Sequence, residues 1–424
     1  MSDDLNVDGV EAVLAGADGR LADPGFLVKA DPGQVLRLMD GASGPPARLA
    51  VVYRASVHLH RDATAGVRRQ LLALDAARYG DRELAARITA VSVKGEPAAQ
   101  WGVEWATGTA VEHRYRHVAL TGHTGDVESV ATAVVGGRPV TVTGSRDDET
   151  VRVWDLVTGQ PVGEHLTGLA QGVRALAMAV VDGRPVAVIA GNDETEGAVR
   201  VWDLANGQQI GEPLDSDHGW MTAVATMVVG DGSPRAITCD SDGRVGEWDL
   251  ATGSQVGELD SLTLWVCAVA TVVVDGCSHA VAGGLGGLAW VWDLATGKIG
   301  ESLIGHTGDV CAVGTALVGG RAVAVTGSDD ATVRMWDLTT GQQIGEPLTG
   351  HTGMVLAMAT GVVEGRSVAV TGGADRQVRV WDLATGRPIG RDLVFPAPVN
   401  AVTVAPDGRL VVGFGHEVAV LARC

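Results

Sequence analysis

Lysine is nearly absent from this chain of 424 residues. There are three, within 32 basic residues set against 51 acidic ones, for a formal net charge of −19. Proteins that grip nucleic acid need Lys and Arg for the phosphates and usually carry a basic face. General nucleic-acid binding is therefore disfavoured, a local arginine patch aside. Long apolar runs are also missing. The longest, Leu264 to Val274, contains Thr271 and is about half a membrane-spanning helix, so no membrane association is expected. Ser2, Asp3 and Asp4 open the chain with no basic stretch ahead of an apolar core, which is not the pattern of a signal peptide. The five cysteines (Cys239, Cys267, Cys277, Cys311, Cys424) are odd in number and form no CxxC pair. The simplest expectation is a reduced, cytoplasmic protein.

Catalytic signatures are lacking too. No glycine-rich stretch ends in Gly-Lys-Ser/Thr, and Gly284-Leu-Gly286 lies between strands and reads as a turn. There is neither a His-Glu-x-x-His helix nor a Gly-x-Ser-x-Gly elbow. The reading is of a non-enzyme that needs no cofactor.

Charge is distributed unevenly. Residues 1–110 carry 14 acids and 12 bases, and the remaining 314 residues carry 37 acids and 20 bases. The acidic part is also the repetitive part. Trp-Asp-Leu recurs at Trp154, Trp202, Trp248, Trp292, Trp336 and Trp381, at intervals of 48, 46, 44, 44 and 45 residues. Each Trp ends a strand-like run such as Val333-Arg-Met-Trp336. A turn follows, and then a short strand such as Gln342 to Leu348. Earlier in each unit two apolar runs flank a glycine turn, as in Val173 to Val181, Asp182-Gly183-Arg184-Pro185, Val186 to Ala190. That pattern is a hairpin signal, and each unit counts four short strands.

These residues resemble the WD40-repeat family of β-propellers over about 115–424. The fold class implied is an all-β seven-bladed β-propeller with a small N-terminal α-helical domain. Six units carry Trp-Asp. After the last, Pro398 to Pro406, Arg409 to Phe414 and Glu417 to Ala422 supply three more strands. A strand at 111–120 is expected to complete that seventh blade and close the ring, which removes an open edge. The expected domains are helical 1–95, a connector 96–110 and a propeller 111–424.

The resemblance further implies a hydrogen-bonded network of His, Asp, a strand Ser/Thr and Trp inside regular blades. The full set is present as His123, Thr143, Asp148 and Trp154, as His306, Thr326, Asp330 and Trp336, and as His351, Thr371, Asp375 and Trp381. Their role is structural, since buried polar groups must be paired. Four blades depart. Leu169 replaces the first His, His218 comes one residue late with Asp242 kept, Gly286-Gly287 stand in the fourth blade, and the seventh has neither His nor Trp. Less rigidity is expected along that arc.

In the family, the residues opening each innermost strand ring the mouth of the central channel, where partners commonly bind. Here the position just before the strand is Asp126, Gly172, Trp220, Trp265, Asp309, Met354 or Pro398. Two places on stand Glu128, Arg174, Thr222, Cys267, Cys311, Leu356 and Asn400. One sector thus presents Trp220, Trp265, Met354 and Leu356, and another Asp126, Glu128 and Asp309 with Arg174 nearby. Trp and Arg are enriched at binding hot spots and Met suits adaptable surfaces. The competing reading is that Trp220 and Trp265 fill gaps left by missing networks. Trp290 reads as blade packing. Cys267 and Cys311 occupy equivalent places in adjacent blades, as thiols, a disulfide or half of a soft-metal site. Two cysteines without a third ligand make a weak zinc case, and small apolar packing is the plainer reading. The acidic loops 147–149 and 193–196 lack calcium-hand spacing and read as solvated turns. His113 and His117 read as surface residues.

Residues 1–95 read as helical: one helix after Pro45-Pro46 with Leu49, Val52, Tyr53 and Val57 on a face, a second from Thr64 to Tyr79 stopped by Gly80, and a third capped by Asp81 and running through Arg87. Trp101 and Trp105 are expected to pack the connector. The stretch Leu71 to Arg87 is similar to the helical linker of large multidomain actinobacterial proteins that join a signalling NTPase to a WD40 sensor. That resemblance implies a free-standing sensor, a separately encoded NTPase as partner, or a remnant. The leading function is a non-catalytic, monomeric protein-interaction scaffold. The alternative is a small-molecule or metal-binding propeller, an enzyme included, with its site at the channel mouth.

Overall fold

The computed structural model describes residues 17–41, 52–54, 56–108, 122–166, 172–192, 197–216, 219–259, 261–262, 264–274, 276–300 and 302–424. The chain divides into two compact units, Met1–Thr121 with Leu421–Cys424, and Gly122–Val420.

The first unit is helical. Helices α1 (Ala17–Leu21), α2 (Pro24–Lys29), α3 (Pro32–Gly41), α4 (Val57–His60), α5 (Ala65–Arg78) and α6 (Arg82–Thr89) lie among its described residues. Their ends follow local chemistry. Thr64 caps α5 by accepting from the Val67 amide at 3.4 Å. Gly80, at φ 73°, adopts the left-handed conformation that ends a helix, and the Asp81 amide bonds back to the Ala76 carbonyl at 2.9 Å. Asp81 then caps α6 through the Leu84 amide at 3.0 Å. The second and third expected helices are thus present, the latter continuing to Thr89. Of the first expected helix, residues 42–51 and 55 lie outside the described ones, 52–54 are helical, and Val57–His60 forms α4.

The second unit is built of antiparallel blades. Blade 1 has strands Val127–Val135, Arg138–Ser145 and Val151–Asp155. Blade 2 has Val173–Val181, Arg184–Asn192, Gly197–Asp203 and Gln208–Ser216. Blade 3 has Met221–Val228, Pro234–Asp240, Val245–Asp249 and Ser254–Glu258. Blade 4 has Val266–Val274, Cys277–Gly284 and Leu288–Asp293 with two short outer pieces. Blade 5 has Val310–Val318, Arg321–Ser328 and Val333–Asp337, and blade 6 has Val355–Val363, Arg366–Gly373 and Gln377–Asp382 with short outer pieces. Blade 7 has Val399–Val404, Leu410–Phe414 and Glu417–Arg423. In blades 1 and 5 the outer edge is reduced to bridges, Val151–Leu166 and Val333–Leu348 among them. The innermost strand of every blade packs against those of the blades before and after it, and that of blade 7 against that of blade 1. The ring is closed and counts seven blades, as the repeat and its ends implied.

The strand that completes blade 7 corrects one expectation. The outer place in that sheet is taken by Trp101–Ala106, which had been read as connector, while residues 111–120 lie outside the described ones. Trp101, Val103 and Trp105 are buried and alternate with Gly102 and Glu104. That is the period of a half-buried strand, and the strand packs on α5 and α6.

Hairpin turns behave as their residues require. Asp182 and Gly183 both have positive φ, 50° and 75°, the geometry of a two-residue turn whose twist matches the strands. Neighbouring blades interlock at a second glycine position. A Cβ on Gly144, Gly283, Gly327, Gly372 or Gly413 would come within 2.7 Å of a methyl of the first valine in the following inner strand: Val173, Val310, Val355, Val399 and, across the closure, Val127. Glycine is needed there for close approach. Gly327→Ala is expected to cost about 1–3 kcal/mol through overpacking, read as a lower denaturation midpoint. The Gly327→Ala/Val355→Ala double variant should recover part of that loss.

Candidate functional site at the channel mouth

A β-bulge opens every inner strand. Pairing with the second strand skips one residue in each blade, between Val127 and Ser129, Val173 and Ala175, Met221 and Ala223, Val266 and Ala268, Val310 and Ala312, Val355 and Ala357, and Val399 and Ala401. The skipped residues are Glu128, Arg174, Thr222, Cys267, Cys311, Leu356 and Asn400, the same seven that the repeat aligned. A bulge leaves its residue out of the ladder and re-aims the side chain.

Just ahead of the bulges the backbone is pinned. The carbonyls of Trp220, Trp265, Asp309 and Met354 accept from the amides of Ser241, Leu285, Asp329 and Ala374 at 2.8–3.2 Å. Their side chains differ in what they do next. Trp220, Trp265 and Met354 are 49%, 41% and 43% exposed. Asp126 is exposed and Leu356 half-buried. Asp309 instead accepts from the Gly286 amide at 2.8 Å, so it caps the turn that stands where blade 4 lacks its His and Asp. Glu128 sits between Arg146, at 3.3 Å, and Arg174, at 3.9 Å. Burial pushes its carboxyl up, against the pull of both guanidiniums. The acidic sector is thus partly self-neutralised.

Cys267 and Cys311 meet. They stand at corresponding bulges of adjacent inner strands that pack together, and the Cys311 thiol donates to Asp329 Oδ1 at 3.2 Å. Among the described residues no group of three His, Cys, Asp or Glu side chains is placed to hold a metal ion.

The three networks form as their residues implied. In blade 1 the Trp154 indole N–H donates to Thr143 Oγ1 at 2.9 Å, that hydroxyl lies 2.7 Å from His123 Nε2, and His123 Nδ1 lies 2.9 Å from Asp148. Blades 5 and 6 repeat it through Trp336, Thr326, His306 and Asp330, and through Trp381, Thr371, His351 and Asp375. Each donor is matched when the imidazole is neutral with its proton on Nδ1. Burial holds His306 and His351 below the ordinary histidine range, outweighing the carboxylates beside them. Burial opposes ionisation of Asp148 and Asp330, yet the hydrogen bonds they accept hold both well below the usual carboxylate range. A His–Asp pair so enclosed orders a turn.

The departing blades use substitutes. Blade 3 keeps the bond from Trp248 to Thr238, at 2.9 Å, and its turn is capped by Asp240, which accepts from the Asp242 and Arg244 amides at 2.9 Å each. Asp242 had been expected in that role. In blade 2 the buried Asn192 accepts from the Met221 amide of blade 3 at 2.9 Å. In blade 4 Trp290 is buried in the core with Ile237, Cys239, Val266 and Trp292, the packing role its strand position implied. Leu169, His218, His113, His117 and the loop 193–196 lie outside the described residues.

Two arrangements were missed by sequence reasoning. Threonines at one inner-strand position form a ladder between blades: Thr226 donates to the Met178 carbonyl, Thr271 to Thr226, Thr315 to Thr271 and Thr360 to Thr315, at 2.5–2.9 Å. The recurrence of Thr was visible, but its partner lies one whole repeat away. In the helical unit Ser56 bonds both His60 and Asp75, and all three are buried. Burial pushes His60 down to about 4. Serine is the middle member and all three side chains are enclosed, so the trio ties the helices together.

Three stretches of the chain match the family model described as WD domain, G-beta repeat: residues 115–155, 297–337 and 341–382. They contain the networks of blades 1, 5 and 6. The ring is a seven-bladed β-propeller, and these three stretches are similar to WD40 repeats. A comparison with curated proteins gives no match. Propellers of this type are typically non-catalytic scaffolds for protein interaction. No helix among the described residues is long and apolar enough to cross a membrane.

Acidification should destabilise the fold in two stages. The imidazoles of His306, His351 and His60 have folded pKa values below the unfolded value, so their contribution is complete above about pH 6.5 and is lost as pH falls from there. The depressed carboxyls Asp148 and Asp330 add a second loss below about pH 4. Melting temperatures measured from pH 7.5 to 3 should fall throughout, and the His351→Gln variant should show a shallower first stage. Amide exchange should be slower in the third strands of blades 1, 5 and 6 than in those of blades 2 and 4. Uniform protection round the ring would contradict this.

Proposed function

We propose that the chain is a non-catalytic scaffold or sensor module that docks a protein partner on the mouth of its propeller. The observation that carries this is the exposure of Trp220, Trp265 and Met354 on backbone that is itself pinned by hydrogen bonds. Rigidly held aromatic side chains left in solvent suit a binding hot spot. The rival idea, that Trp220 and Trp265 fill gaps, is weakened because the buried gap-filler in blade 4 is Trp290. Leu356, Asp126, Glu128 and Arg174 supply the rest of the surface, with Asp309 setting the shape of the blade 4 turn. An acidic propeller favours a basic partner through long-range attraction.

The likeness of Leu71 to Arg87 to linkers between signalling NTPases and WD40 sensors makes a separately encoded NTPase one partner class to test, with the module acting as a cytoplasmic monomer. A protein ligand is favoured over a small molecule or metal by the exposed large side chains of Trp220, Trp265 and Met354.

Wild-type chain and a Trp220→Ala/Trp265→Ala variant of equal melting temperature are immobilised and exposed to lysate of the native host. A specific protein retained by wild type and reduced at least about tenfold by the variant is expected, since paired hot-spot aromatics cost more than 1.4 kcal/mol. Equal retention on both columns, or none on either, would remove the mouth as the docking site.

A further inference from the structure

The seven bulge positions at the channel mouth hold Glu, Arg, Thr, Cys, Cys, Leu and Asn in ring order. Side chains at neighbouring bulges reach one another, as the Glu128–Arg174 pair of blades 1 and 2 does at 3.9 Å. Cys267 and Cys311 occupy the corresponding places in blades 4 and 5, whose inner strands pack side by side. Both sit out of the strand ladder, so each can shift without breaking a ladder bond. Both are half-buried. A small reagent can reach them, whereas Cys239 is fully enclosed by the blade core.

We propose that Cys267 and Cys311 form a redox-active dithiol that small-molecule disulfides convert to a cystine joining blades 4 and 5. The two thiols are unequal. The Cys311 proton is engaged by Asp329 Oδ1 at 3.2 Å, and Cys267, burial and Asp329 push the Cys311 thiol up. The Cys311 side chain beside it holds the Cys267 thiol below the ordinary range, against burial and the nearby Asp309 and Asp329. Cys267 is therefore the attacking sulfur and Cys311 the resolving one. In the first step the Cys267 thiolate attacks one sulfur of a low-molecular-weight disulfide. A mixed disulfide forms and one small thiolate leaves. In the second, Cys311 gives up its proton, for which Asp329 Oδ1 is the acceptor at 3.2 Å, and its sulfur displaces the second small thiolate from Cys267. That thiolate takes up the proton. Two protein thiols are oxidised, one disulfide is reduced to two thiols, and no other reactant is needed.

The test uses the full chain carrying Cys277→Ser and Cys424→Ser, which removes the two exposed competitors. It is equilibrated in glutathione buffers from fully reduced to fully oxidised, quenched with an alkylating agent, and analysed as intact protein and as peptides. The expected result is loss of two alkylation sites together, with one cross-linked peptide pair containing Cys267 and Cys311. Adding Cys311→Ser should instead trap a glutathione adduct on Cys267, and adding Cys267→Ser should leave Cys311 slower to react. Persistent adducts without a cross-link, or two thiols that stay alkylatable in fully oxidised buffer, would overturn the proposal.

Discussion

A propeller blade is a small sheet with two apolar faces, and neither face is covered until another blade lies against it. Everything in the second unit depends on that mutual covering. It is achieved where the first valine of one inner strand enters the space left by a glycine of the blade before, as at Gly327 and Val355, and it is completed where Val127 meets Gly413. Apolar area removed from water is the main stabilising term, and here it accrues mostly between repeats. Since each blade is stabilised by its neighbours, the sequence inside a blade is free to vary so long as the joint is kept.

That freedom is visible in the polar groups. Blades 1, 5 and 6 satisfy their buried Trp, Thr, His and Asp with one internal chain of hydrogen bonds. Blades 2, 3 and 4 reach the same end by other means: Asn192 on the next blade's amide, Asp240 on its own turn, and Asp309 lent by blade 5 to the turn at Gly286. The irregular blades are also the ones that place Trp220 and Trp265 in solvent and one of the two paired thiols at the mouth. Relaxation of the internal network and diversification of the rim occur in the same sector.

Much of this was legible in the sequence, for a physical reason. The Trp-Asp repeat marks residues whose burial is periodic, so the blade count, the three hydrogen-bonded networks and the seven bulge positions could be read by alignment alone. What escaped lies between repeats or at their edges. Trp101–Ala106 was read as connector because an outermost strand is short and carries no turn signal of its own. Asp309 looked like a free rim carboxylate because its partner, the Gly286 amide, belongs to another blade. The threonine ladder and the Ser56–His60–Asp75 trio depend on contacts that no local pattern announces. The helix ends, by contrast, rest on Thr64, Gly80 and Asp81 acting on neighbours within a few residues, and these were read nearly to their limits.

The seventh blade draws its outer strand from one end of the chain and its other three from the opposite end. Arg423 reaches the Gln100 side chain at 2.9 Å across a sequence separation of 323 residues, and the Cys424 amide bonds the Gln100 carbonyl at 3.0 Å. During synthesis the strand at 101–106 therefore emerges from the ribosome long before anything it can pair with. Joining such distant segments carries a loop-closure cost and slows folding. The ring is locked only once the strand at 417–423 has been made, and the bonds from Arg423 and Cys424 to Gln100 act as the clasp.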